Sequence, residues 1–422
     1  LNAFIMSHLK SKLLALLGGA LIATGSAFAQ DSGPLIDLLV KKGLVNDQEA
    51  EELRADLTRD ASAGIISTIS GGKSTVGLSI AGRLQVQYAG LGTSVNGLAV
   101  NPVSTGHFFL RRIYLGAKAN LGANWSSSLN YDFAGSTFDE AKITWTQSDA
   151  LAVDIGFRKV PFGLEEWYTS SGSLKAIERS PATRYFVEGN NGRRLGAGSY
   201  RIGVYAGGKA DNGLFYNVAL TNPERNEDGI AGVNSAGNNT NNSLAGWVNA
   251  GYKGKSGENL TYVFSGSVGR LPDQGGKVLG TGDNLTVYNL FTDLTYGPWD
   301  LQLEYFASDN QHGVSATRDA KPTAYSIQPS LKLGEKWEYT MRYTYVDSDG
   351  RGVNISDGIR SAPGGGTMNT MDEWYAGLTY FFRGNDVKWQ VGYIMGESND
   401  TITGLPAKAK TQGVRSQVQV NF

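Results

Sequence analysis

The chain has no cysteine. That excludes a disulfide scaffold, a thiolate metal site and a cysteine nucleophile. It has only three histidines, His8, His107 and His312, which leaves little material for imidazole catalysis or metal binding. Charged residues make up just 18% and the formal net charge is −1, which argues against a general nucleic-acid binder. No segment approaches the ~18 consecutive apolar residues of a membrane-spanning helix. What the chain does have is 56 glycines and an aromatic set of 20 Tyr, 16 Phe and 8 Trp in 422 residues. Low charge with many aromatics is the opposite of a disordered composition, and the abundance of Gly and Tyr points to a β-dominated protein.

The N-terminus reads as an export signal. Lys10 and Lys12 form a basic region, Leu13 to Ile22 a short apolar region, and Ala27-Phe28-Ala29 a cleavage site before Gln30. Residues 1–29 are therefore expected to be a signal peptide, with Met6 as its start. A single membrane anchor is the alternative, but the apolar run is too short to span a bilayer. Over 30–60 the apolar period changes to 3.6, with Leu35, Leu38, Leu39, Val45, Leu53 and Leu57 on one face, so a short helical segment is expected on the periplasmic side. Small residues over 61–75 form a linker. Its GGKS is not a phosphate loop, because Ser67 stands where the first glycine is required and no helix follows.

From residue 76 to 422 the pattern is period-2 alternation in about sixteen stretches of about 9–13 residues. The connectors alternate in length. One set is short: Gly122–Asn124, Ser148–Ala150, Gly297, Gly334–Glu335 and Arg383–Gly384. The other is mostly long: 90–106, 161–197, 222–243, 271–283, 309–322, 348–371 and 397–411, with 134–138 the short exception. Short turns at one end and long loops at the other predict an all-β fold, a sixteen-stranded antiparallel transmembrane β-barrel.

The two strand faces support this. Val414, Ser416, Val418, Val420 and Phe422 alternate with Arg415, Gln417, Gln419 and Asn421. Trp337, Tyr339, Met341, Tyr343 and Tyr345 alternate with Glu338, Thr340, Arg342 and Thr344. One face suits lipid, and the charged face must line a wet interior. Trp125, Trp299, Trp337 and Trp389 start strands just after short turns and Trp145 ends one just before, as an interfacial aromatic girdle requires. Terminal Phe422 reads as the signal presented to the outer-membrane assembly machinery.

On the inward face, Arg83, Arg112, Lys118, Lys142, Arg158 and Arg201 lead a set of bases that outnumbers the acids. Rings or ladders of such residues favour anions, and the guanidinium fork suits phosphate and carboxylate oxygens. The alternative is a wall of charges paired with nearby acids. The longest connector, 161–197, is expected to be functional. If it folds inward it narrows the lumen, with Lys175, Glu178, Arg179 and Arg184 as constriction residues; a surface cap is the other reading. Its mixture of acids and bases would set up a transverse field.

The segments FFLRRIYLGAKANLGANWSSSLNYDFAG (108–135) and DIGFRKVPFGLEEWYTSSGSLKAIERSPATRYF (154–186) resemble the phosphate-selective porin O and P family. The resemblance implies a homotrimer of sixteen-stranded barrels with an inward third loop and an arginine ladder. Arg83, Arg112 and Arg158 match the ladder by position, and Arg179 and Arg184 the constriction.

The function expected is passive outer-membrane diffusion of small hydrophilic solutes, with a preference for phosphate or other small anions. No cofactor, metal or nucleic acid is expected; the partners are a lipid bilayer with lipopolysaccharide and small anionic solutes. The alternatives are a non-specific diffusion porin and a non-conducting structural or adhesion barrel. An outer-membrane lipase or protease is disfavoured, because neither His107 nor His312 lies in a nucleophile-like motif.

Overall fold

The computed structural model describes residues 69–70, 75–96, 103–223, 243–272, 274–277, 282–401 and 407–422. The signal peptide and the helical segment expected over 30–60 lie outside the described residues. The described sheet has eighteen segments in one closed antiparallel order. Two of them, Ile69–Ser70 and Arg318–Ala320, are short extensions that pair with a neighbouring strand. The rest are the barrel strands: β1 (Thr75–Asn96), β2 (Val103–Leu121), β3 (Trp125–Asp132), β4 (Thr137–Ser148), β5 (Leu151–Lys159), β6 (Tyr200–Lys209), β7 (Leu214–Thr221) and β8 (Ala245–Ser256). Then follow β9 (Leu260–Leu271), β10 (Leu285–Tyr296), β11 (Trp299–Ser315), β12 (Thr323–Leu333), β13 (Trp337–Asp347), β14 (Met368–Arg383), β15 (Val387–Thr401) and β16 (Lys408–Asn421).

Closure is made between β16 and β1, from Lys408 opposite Asn96 to Asn421 opposite Arg83. Phe422 N donates to Gly82 O (3.0 Å) and Gly82 N to Phe422 O (2.6 Å). A closed barrel satisfies its backbone groups strand to strand, which is what hydrocarbon demands, and sixteen strands leave room for a lumen. The short turns hold glycines in the left-handed region, Gly122 at φ 73° and Gly334 at φ 73°, where other residues are strained.

The outer face carries Ile143, Ile155, Val248, Phe264, Leu290, Met341, Trp374, Met395 and Val418, all exposed. That is a lipid-facing band. At the short-turn rim Trp125 pairs across strands with Trp145, and Trp337 with Tyr380, which in turn pairs with Trp389. Trp389 Nε1 donates to Ser416 Oγ (2.9 Å).

Two features depart from the sequence expectation. First, several strands run past the expected 9–13 residues: β1 has 22, β2 has 19 and β11 has 17. Much of the expected loops 90–106 and 309–322 is therefore paired strand. Above the lipid the outer face no longer has to be apolar, so the alternation fades there while the hydrogen-bonded ladder continues. Second, the inward face is not polar throughout. Trp247, Leu271, Leu285, Val287, Phe306, Val346 and Met371 point inward and are buried in one apolar cluster. They pack on loop residues, including Phe162, Tyr185, Phe186, Val353 and Ile355. The Phe186 and Phe306 rings stack at 5.0 Å.

Candidate functional site

The connector after β5 runs inside the barrel. It holds a single π-helical turn, Leu164–Tyr168, and a short helix α1, Pro181–Val187. Ser180 caps α1, its Oγ accepting from Thr183 N (3.1 Å), with Pro181 at the first helical position. Ser-Pro is a helix start visible in the sequence.

The loop is tied to strand after strand. Leu164 N donates to Glu304 Oε1 on β11 (2.5 Å). Lys175 Nζ reaches Glu338 on β13 (3.3 Å) and Asp300 on β11 (3.4 Å). Lys388 Nζ on β15 donates to Leu174 O (3.2 Å), and Gln419 Nε2 on β16 to Gly172 O (3.0 Å). Arg342 Nη1 on β13 donates to Glu178 O (2.8 Å). Arg83 on β1 donates to Ser171 Oγ (2.8 Å) and Asn421 Oδ1 (2.8 Å), and more loosely to Ser170 Oγ (3.4 Å). Tyr168 packs near Phe215 and Phe291 on the wall.

A barrel with a lipid-facing band, an interfacial aromatic rim and a long loop bonded to its inner wall is a porin arrangement. A profile of the family described as phosphate-selective porin O and P matches residues 79–422. The chain belongs to that family. Solved structures share the fold at low identity. The anion-selective porin from Comamonas acidovorans is 11% identical with a TM-score of 0.59, covering 82% of this chain and 100% of that one. OprB of Pseudomonas putida is 10% identical with a TM-score of 0.55, covering 82% and 94%. The outer-membrane channel DcaP of Acinetobacter baumannii is 14% identical with a TM-score of 0.53, covering 85% and 100%. No curated protein sequence matches. The chain is thus an outer-membrane channel for small solutes.

The porin's wall bases fall into two groups. Arg83 is half-buried and Lys118 likewise; neither has a carboxylate partner among the described residues. Lys142 lies between Glu140 (3.2 Å) and Asp154 (3.5 Å), and Arg158 pairs with Asp154 while its guanidinium lies over Tyr205 (5.0 Å). Asp154, Arg158, Pro161, Tyr205 and Asn217 line a wall cavity of about 120 Å³. Two expected pore-lining residues are buried. Arg112 is only 3% exposed, with Nη1 donating to Gln85 Oε1 (2.7 Å). Arg201 is only 2% exposed; it donates to the carbonyls of Gly196 (2.5 Å) and Gly198 (2.6 Å) and lies over Trp247. Both point inward, but neighbouring side chains and loop backbone close over them.

The loop's charges are compensated. Arg179 pairs with Glu166 (2.7 Å), which also faces Lys159 (3.5 Å). Glu178 accepts from Arg111 (2.5 Å), Arg360 (3.2 Å) and Gln87 (3.0 Å). Arg184, expected at the constriction, is a buried helix residue bound to Glu188 (2.9 Å) and to Ser356 O (3.3 Å). Burial raises the Glu178 carboxyl, but Arg111 and Arg360 outweigh it and hold it well below the carboxylate range. Burial likewise opposes Arg184 and Arg360 at Glu188, and the guanidiniums win, bringing it down to about 2. Burial pushes Arg360 down to about 10, against the pull of Glu178. Lys175 goes the other way: Asp300 and Glu338 overcome burial and raise it.

Sequence reasoning missed Arg111, Asp139, Lys159 and Arg360. Arg111 and Asp139 sit at β-bulges, where one residue is extra. A bulge breaks the alternation, so Arg111 and Arg112 both turn inward, as do Asp139 and Glu140. Tyr114 Oη donates to Asp139 Oδ1 (3.2 Å). Adjacent like charges (Arg-Arg, Asp-Glu) mid-strand were the available signal. Arg360 belongs to a second inward loop, between β13 and β14, whose short helix α2 (Ile355–Gly358) packs beside α1. It bridges Glu178 and Glu188, while Arg193 and Asn191 of the first loop reach Asp357 of the second (2.6 and 2.8 Å).

Proposed function

We propose that this porin passes small hydrophilic anions, phosphate among them, along the wall formed by β1 to β5. The carrying observation is Arg83: a half-buried guanidinium hydrogen-bonded to neutral oxygens, with no carboxylate paired to it among the described residues. Lys118 adds a second charge with no carboxylate paired to it among the described residues, and buried Arg112 adds its field to that of Arg83. Passing anions would meet Lys142 and Arg158 as compensated charges, and the loop bases Lys175 and Arg179 as anchors that fix the aperture. Such a path lowers the entry barrier for anions without a binding reaction. The anion-selective porin similar in fold, and the family's own description, support this reading. We further propose a homotrimer, delivered by cleavage of the signal over 1–29 and assembled through Phe422 in a lipopolysaccharide-bearing membrane.

The compensation of Lys142, Arg158, Lys175, Arg179 and Arg184 favours a second reading, general diffusion with little selectivity. Reversal potential of single channels in a KCl gradient separates the two. A potential on the anion side is expected; a zero or cation-side value refutes the anion path.

A further inference from the structure

The contact between the two inward loops and β16 surrounds a cavity of about 10 Å³. Its lining includes Arg179, Arg342, Arg360, Arg415, Glu178 and Glu373. Three of these arginines have carboxylate partners: Arg179 has Glu166 (2.7 Å), Arg342 has Glu373 (2.8 Å) and Glu165 (3.3 Å), and Arg360 has Glu178 (3.2 Å) and Glu188. Arg415 has none among the described residues. It is 1% exposed. Its Nη1 donates to Gln87 Oε1 (3.1 Å) and its Nη2 to the backbone carbonyl of Arg360. Its Nε is buried and has no hydrogen-bond partner.

The two lining carboxylates lie within Coulombic reach of Arg415, but neither pairs with it. Glu178 receives Arg111, Gln87 and Arg360. Oε1 of Glu373 receives two N–H groups of Arg342 (3.0 and 2.8 Å). A buried guanidinium with an unused donor and no ion-pair partner is costly. A cavity of this size holds one water, or one monatomic ion once its side-chain lining gives slightly. It is too small for phosphate or a carboxylate.

We propose that the cavity binds a single monatomic anion of the chloride class, with Arg415 Nε as a donor to it. The ion accepts from the unused donor of Arg415 and joins both inward loops to β16. The site is separate from the solute path, because its volume excludes oxyanions.

Two measurements on the full-length protein test this. In crystals grown with bromide replacing chloride, an anomalous peak is expected in the cavity within hydrogen-bonding reach of Arg415 Nε. Its absence, with ordinary water density there, overturns the proposal. In detergent, thermal unfolding in chloride is compared with sulfate at equal ionic strength. Sulfate generally strengthens folding but cannot enter the cavity. Because the general sulfate effect acts on wild type and variant alike, specific binding to the folded state predicts that the chloride-minus-sulfate difference in melting temperature is several degrees more positive in wild type than in Arg415→Gln. The same chloride-minus-sulfate difference in wild type and Arg415→Gln overturns the proposal.

Discussion

Replacing Arg83 with glutamine removes one positive charge that is not held in an ion pair and leaves the neighbouring ion pairs in place. At about 5 Å in water a unit charge attracts a passing anion by about 0.8 kcal/mol. Screening over a Debye length of about 10 Å at 0.1 M salt reduces this to about 0.5 kcal/mol. That alters anion occupancy about 2.3-fold and cation occupancy inversely, so the anion-to-cation permeability ratio is expected to fall about fivefold. Any narrowing of the lumen lowers the local dielectric and enlarges the effect. The substitution has a second consequence. Arg83 alone spans Asn421, Ser171 and Ser170, and a hydrogen bond to a charged group contributes about 1.5–3 kcal/mol. Glutamine reaches fewer of these partners, so the loop tip is expected to loosen and single-channel conductance to rise. Arg83→Lys separates the two effects: it keeps the charge and loses the fork, so selectivity should stay near wild type while conductance rises. The assay is reversal potential in a salt gradient, on protein shown to be folded by its heat-modifiable mobility. If Arg83→Gln leaves the permeability ratio unchanged, the assignment of selectivity to wall charge outside ion pairs is wrong.

Arg360→Gln breaks the bridge between Glu178 and Glu188. Arg360 is half-buried, and leaving its carboxylate partners with fewer donors costs about 1–3 kcal/mol, so hydrogen exchange over 181–187 should accelerate; unchanged protection would contradict a bridging role. Acid should weaken the same junction. Glu178 and Glu188 have folded values below their ordinary 4.5, so their contribution is fully present above about pH 4.5 and is lost as pH falls toward about 2. Protease sensitivity of the 161–197 loop is expected to rise between pH 5 and pH 2.5, and a flat profile would refute the linkage. Ser180→Ala removes the cap of α1 and should cost about 1 kcal/mol, read as a lower melting temperature with the barrel's strand content retained.

The barrel and its orientation to lipid were legible in the sequence because both follow from local rules. A strand between hydrocarbon and water must alternate with period 2, as Val414 to Phe422 do. A tight turn must contain residues that tolerate positive φ, as Gly122 and Gly334 do. Tryptophans gather where membrane meets water. Contacts between segments distant along the chain were not legible. Arg111 and Asp139 turn inward only because a bulge adds one residue to a ladder, and a bulge depends on the register of two strands. Arg184 and Arg360 are far apart in sequence, and their roles depend on α1 and α2 meeting in the lumen. Alternation shows which way a side chain points; it does not show whether a carboxylate is waiting there. The sequence alone determined that there is a barrel and which side of each strand is wet. The tertiary structure decided which of the inward charges are cancelled, because pairing requires atoms within about 4 Å, and distances of that size are set by how two loops fold back against a closed wall.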